Sequence, residues 1–207
     1  MAQVTKADEI LNKVLTKLQI IDKKPGEKFN NIYRLFPELD KLNKEGTFAV
    51  STTGTITERV CGWALEEAIP DGHFRLTAND DKWLGDYCLL GTPFNAVISV
   101  KSYKVKERLL VSGSGSLLVP TIGWGFMNDP NEFKYARLKN YLYRGFIAIY
   151  MPKETLNKTE KNSKDLVNTH KNKFLRPIED LVKDIRNSSL KKKLGDKTLT
   201  VIDPKKF

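Results

Sequence analysis

The sequence predicts an α/β protein: a mixed β-sheet flanked by helices, with a helical N-terminal lead-in and a basic helical C-terminal tail. Three observations lead there. An apolar-striped helix near residue 60 precedes two strand-like runs close enough to pair as a hairpin. A helix-start signal near residue 129 opens a helix that leads directly into an apolar strand, the pattern of a crossover onto a sheet. The 207 residues carry 40% hydrophobic side chains at a mean hydropathy of −0.41, enough apolar material for one globular core.

In chain order, residues 5–21 read as an amphipathic helix, with Ile10, Val14, Leu15, Leu18 and Ile21 on one stripe. Pro25-Gly26 breaks it. FNNIYRLFPELDKLNKEG then suggests one or two short helices, interrupted near Pro37 and ended by Gly46. Residues 1–46 form the lead-in. Thr55 and Glu58 make a capping box that starts the next helix, which runs to Ile69 before Pro70-Asp71-Gly72. KWLGDYCLL (82–90) and FNAVISVKSY (94–103) are the hairpin, turning at Gly91-Thr92-Pro93. SGSGS (112–116) is a flexible loop, and LLVPTIG with GWGF shows no period. Asp129-Pro130-Asn131-Glu132 starts a helix that runs to Arg144, Gly145 ends it, and FIAIYMP is a buried strand. Residues 47–152 thus form an α/β core. The tail, 153–207, packs on or extends it and carries a helix over LRPIEDLVKDIRNSSLKKKL, with Ile178, Leu181, Val182 and Ile185 as its stripe.

The net charge is +10 and the pI about 9.5, which points to an acidic partner, nucleic acid first. Most of the excess lies late: Pro152 to Phe207 holds 15 Lys+Arg against 8 Asp+Glu. No apolar run is long enough to span a bilayer, no signal-peptide core is present, and two cysteines make no disulfide framework. A cytoplasmic protein with no membrane partner is the expectation.

Folding the hairpin about residues 91–93 sets Asp86 opposite Ser99. Lys101 shares the face of Ser99, because strand side chains alternate. An acid, a hydroxyl and a lysine therefore converge on one patch. On the helix before it, Ile56, Val60, Cys61, Ala64 and Ala68 mark the buried side. Glu67 falls at the edge of that stripe and is the acid expected to point at the sheet. Glu58 lies near the stripe too, but the capping box occupies it. Two carboxylates are a minimal protein share of a Mg²⁺ site, because Mg²⁺ fills its other positions with water and phosphate oxygens.

Helix with Glu67, strand with Asp86, strand with Ser99-Val100-Lys101, then helix and apolar strand: this order resembles the PD-(D/E)XK nuclease core of type II restriction endonucleases. The resemblance covers residues 55–152 and implies a restriction-endonuclease-like core. It implies metal binding by Asp86, a catalytic Lys101 and a supporting Glu67, with Mg²⁺ as cofactor. Gly85 replaces the motif's proline, and Ser99 stands where its second acid is usual. Some restriction enzymes that cut GC-rich sites look similar, with an S-x-K strand and the missing acid supplied from elsewhere. Here Glu67, Glu58 or Glu107 would supply it.

Lys104, Lys106 and Arg108 follow as a phosphate grip, or as the ordinary end of an exposed strand. The backbone around Ser112, Ser114 and Ser116 has room to approach DNA, or is simply a linker. His73 and His170 are too few for a ββα-metal nuclease, and neither a CxxC nor an HExxH spacing exists. The reading is a Mg²⁺-dependent restriction endonuclease cutting specific double-stranded DNA as a homodimer. The alternatives are a non-catalytic basic DNA- or RNA-binding module and a repair or recombination nuclease on the same core.

Overall fold

A six-stranded mixed sheet organises the chain. Its strands are β1 (Phe74–Leu76), β2 (Tyr87–Leu89), β3 (Ala96–Tyr103), β4 (Thr121–Met127), β5 (Phe146–Met151) and β6 (Leu175–Pro177), and they lie side by side in that order. β1, β2 and β3 form an antiparallel meander, and β3 to β6 are parallel. The computed structural model describes residues 5–46, 49–70, 73–78, 80, 82–103 and 119–207.

Helix α1 (Lys6–Lys17) is capped by Thr5, whose hydroxyl accepts from the Asp8 amide while Asp8 accepts from the Thr5 amide. It stops short of the predicted Ile21 because Gln19 turns into the left-handed region, which folds Ile20 back into the core. After α2 (Pro25–Phe29), α3 (Ile32–Lys44) runs straight through Pro37. Burial of Leu35, Phe36 and Leu39 on its inner face outweighs the backbone hydrogen bond that proline cannot make.

Helix α4 (Val50–Ala68) crosses one face of the sheet. Val60, Cys61, Ala64 and Leu65 belong to the same core as Ile98, Val100, Ile122 and Trp124. On the other face, α5 (Tyr135–Tyr143) packs Leu138 and Tyr141 with Met127, Phe146, Ile149 and Met151 in a second core. The predicted helix over 130–144 is thus a 3-10 turn, Pro130–Phe133, followed by α5, because Lys134 takes an extended conformation.

Strand β4 is buried along its whole length. It showed no period in the sequence because both faces are covered and two of its residues are glycines. Gly125 pairs with Lys101 in the parallel ladder, and a Cβ there would overlap the Lys101 carbonyl. The glycine thus permits the close approach of β4 to β3 at the lysine.

The tail adds α6 (Lys153–Lys158), α7 (Lys161–Lys164), β6 and α8 (Leu181–Ser188). Ile178, Leu181, Val182 and Ile185 are all buried, as their spacing requires. The helix predicted over 175–194 is shorter than that. Leu175–Pro177 joins β5, and residues after Ser188 continue as β7 (Ser189–Leu194), paired with β8 (Lys197–Ile202). Leu190 and Leu194 are four apart, which mimics a helical stripe, but Gly195 turns the chain at positive φ and closes a hairpin. Among the described residues, no helix is long and apolar enough to cross a membrane.

Gly125→Ala is expected to push β4 away from β3 and to cost about 2–3 kcal/mol of stability. Urea unfolding of the two proteins checks it.

Candidate functional site

The β2–β3 ladder pairs Tyr87 with Ile98, Cys88 with Val97 and Leu89 with Ala96. This is the register the turn predicts, and it carries Asp86 to the level of Ser99. The acid sits just before β2, where its backbone is tied on both sides. Its amide donates to the Ile98 carbonyl at 2.7 Å, and its carbonyl accepts from the Thr77 amide at 2.9 Å. Gly85 sets up this approach: a Cβ there would lie 3.0 Å from both the Ile98 oxygen and the Val97 Cβ.

The Asp86 carboxylate is nearly buried. Its Oδ2 accepts from the Val100 amide at 2.6 Å, and the Lys101 ammonium stands 3.6 Å from the same oxygen. Lys101 Nζ also donates to the Val100 carbonyl at 3.0 Å. Both side chains line a cleft of about 490 Å³ whose opposite wall is the first half of α4, with Ser51, Thr55 and Glu58.

Glu58 is the helix acid that shares this cleft, and Glu67 is not. Glu67 lies about 13 Å further along α4 at 1.5 Å per residue. It packs over Gly26 and pairs with Arg186 of α8. The misplacement traces to the predicted helix start. Helix α4 begins at Val50, so Thr55 and Glu58 are interior residues and form no capping box. The Thr55 hydroxyl instead donates to the Ser51 carbonyl, which leaves the Glu58 carboxylate for the cleft.

Helix α4 is pinned to β2 at this level. The Tyr87 hydroxyl donates to the Glu58 carbonyl at 2.8 Å, and burial pushes its phenol up, so it remains a donor. Gly62, one turn later, leaves room for that hydroxyl. The Glu58 carboxyl is held above its ordinary range, first by burial and then by the negative charge of Asp86. Lys82, 3.5 Å away, and Lys101 offset this only in part. Cys61, fully buried below, has its thiol pushed well up by burial, which removes it as a nucleophile.

Ser99 is 0% exposed on β3 and does not reach the cleft lining. Lys104, Lys106, Arg108, Ser112, Ser114 and Ser116, together with Glu107, lie outside the described residues. Lys82, also in the cleft lining, sits in a turn and carries no periodic signal in the sequence.

Two carboxylates on one cleft, with the charge of Asp86 raising the proton affinity of Glu58, suit a cation. Among the described residues, no group of three or more His, Cys, Asp or Glu side chains is clustered to hold a metal ion. Carboxylate oxygens are hard donors, so these two could hold an oxygen-seeking ion that keeps several waters, as Mg²⁺ does. Glu58 and Asp86 are the residues that would hold it.

An antiparallel meander feeding a parallel half-sheet, with helices on both faces, matches a restriction-endonuclease-like fold. The solved restriction endonuclease PspGI–substrate DNA complex shares it at a TM-score of 0.51, with 12% sequence identity, over 89% of this chain and 93% of that chain. No protein-family model and no curated protein matches the sequence.

A carboxyl held above its ordinary range costs stability once ionised. In metal-free buffer, Glu58→Gln should therefore be more stable than the parent at neutral pH. The advantage should vanish as the pH falls below the ordinary glutamate value of 4.5. Melting temperatures between about pH 4 and about pH 8 test this sign.

Proposed function

We propose that the protein is a divalent-metal-dependent endonuclease of the type II restriction kind, hydrolysing phosphodiester bonds in double-stranded DNA. The observation that carries this reading is the contact of Lys101 with Asp86 across β3 and β2, in a cleft shared with Glu58. The restriction-endonuclease-like fold and the +10 charge support it.

In this reading Asp86 and Glu58 would hold Mg²⁺, which when bound would supply positive charge at the scissile phosphate. Lys101 is the catalytic lysine. Its ammonium, steadied by the Asp86 carboxylate and the Val100 carbonyl, orients the attacking water and balances charge on the pentacoordinate phosphorus. Lys82 keeps Glu58 in place from the cleft wall. Ser99 is the S of an S-x-K variant of the motif. Its complete burial supports Glu58, and not a residue of β3, as the second carboxylate. Lys104, Lys106, Arg108 and the Ser112, Ser114 and Ser116 loop are proposed to contact the duplex. A homodimer would bring one site to each strand of a symmetric target.

Purified protein with Mg²⁺ is expected to cut duplex DNA of known sequence into discrete fragments ending in 5′-phosphate. Asp86→Ala and Lys101→Ala should each lower the rate by about 10²-fold or more. Intact DNA under every divalent metal, with salt-dependent binding retained, would select a non-catalytic binding module. Non-specific cutting would select a repair or recombination nuclease.

The second carboxylate has its own test. Mg²⁺ should raise the melting temperature of the parent and of Glu67→Gln, but much less that of Glu58→Gln. Equal shifts in the two variants would remove Glu58 from the site.

A further inference from the structure

The β7–β8 hairpin lines no part of the cleft, and most described side chains of its outer half are exposed. Lys191, Lys192, Lys193, Asp196, Lys197 and Thr198 are all exposed. The base, by contrast, is fixed. Ile202 donates its amide to the Leu90 carbonyl and accepts from the Thr92 amide, both at 2.9 Å. The Thr200 amide donates to His73 Nδ1 at 3.0 Å, and Val201 and Ile202 are buried. A ribbon welded at its root carries four lysines in its outer half, against Asp196 as the acid there. The exposed side chains of this tip gain little packing energy from the arrangement, and like charges side by side oppose pairing.

We propose that this ribbon is a second DNA-contact surface, which holds duplex phosphates beyond the cleft without reading sequence. The inference rests on double-stranded DNA being the substrate. The ladder places Lys191 and Lys193 on one face with Thr198 and Thr200, while Lys197 projects from the other face beside the turn. Lysines act on phosphates as point charges, and a two-stranded ribbon is of a size to meet a DNA groove.

Its position relative to the cleft follows from the sheet. Thr92, at the ribbon's root, is six residues from Asp86, at most roughly 20 Å of chain. That span corresponds to about six base pairs at 3.4 Å each. The edge strand β1 bridges it, with His73 under the ribbon, exposed Arg75 midway and Thr77 bonded to the Asp86 carbonyl. A duplex seated in the cleft and running along this edge reaches the ribbon on its flank, outside the base pairs around the cut.

The test is binding in metal-free buffer, where no cutting occurs, read by fluorescence anisotropy. The parent is compared with the Lys191→Gln/Lys193→Gln/Lys197→Gln variant on a duplex of about 30 base pairs and on one too short to leave the cleft. On the long duplex, the variant should bind at least about tenfold more weakly at about 0.15 M salt. Its log K against log[salt] slope should be shallower by about 2–3, since each phosphate contact contributes about 0.9. On the short duplex the two should bind alike, and a triple Lys→Arg variant should restore the parent slope. Equal binding and equal slope on the long duplex would overturn the ribbon's role while leaving the cleft reading intact. A parent that binds neither duplex would overturn both readings, and one that binds anionic vesicles in their place would do the same.

Discussion

The hydrogen bond from the Val100 amide to the Asp86 carboxylate is the constraint on which the candidate site depends. It ties the end of a short outer arm to the middle of the longest strand in the sheet. A buried carboxylate needs partners, and this one finds a backbone amide as donor and an ammonium as counter-charge, from adjacent residues of one strand. Everything around it serves that meeting. Gly85 lets the acid come close, Gly125 lets β4 close up behind the lysine, and Tyr87 fastens the helix that brings the second carboxylate. Charge then accumulates where water is scarce, and the raised proton affinity of Glu58 records the cost.

Much of this was legible in the chain. The hairpin register follows from its turn and its alternation, so the meeting of Asp86 with Lys101 could be read from residue types and spacing alone. The stripes of α1, α4 and α8 were equally plain, because a face that must be buried has to repeat with the helix. The restriction-endonuclease-like fold follows from the order of these elements.

What escaped had physical causes. Thr-x-x-Glu is a strong start signal that suggests a cap for Glu58, but α4 begins upstream of it at Val50, with Thr53 already buried. Helical phase alone favours Glu67, and phase says nothing of position along the axis. Arg186, more than a hundred residues away in the chain, takes it instead. Strand β4 gave no signal because a strand covered on both faces need not alternate. The ribbon was hidden by leucines whose spacing suits a helix as well as a hairpin.

The two halves of the candidate site are held with unequal firmness. Lys101 belongs to a strand with neighbours on both sides, whereas Asp86 hangs from a three-residue strand whose outer neighbour, β1, is equally short and largely exposed. Local opening of such an arm needs far less free energy than global unfolding. Parting the acid from the lysine would draw Tyr87 and Leu89 of β2 out of the larger core, while the second core on the other face holds none of the arm's residues. The Val100 amide, released whenever that happens, is the natural reporter: its hydrogen exchange measures how often the site comes apart, independently of how often the protein does.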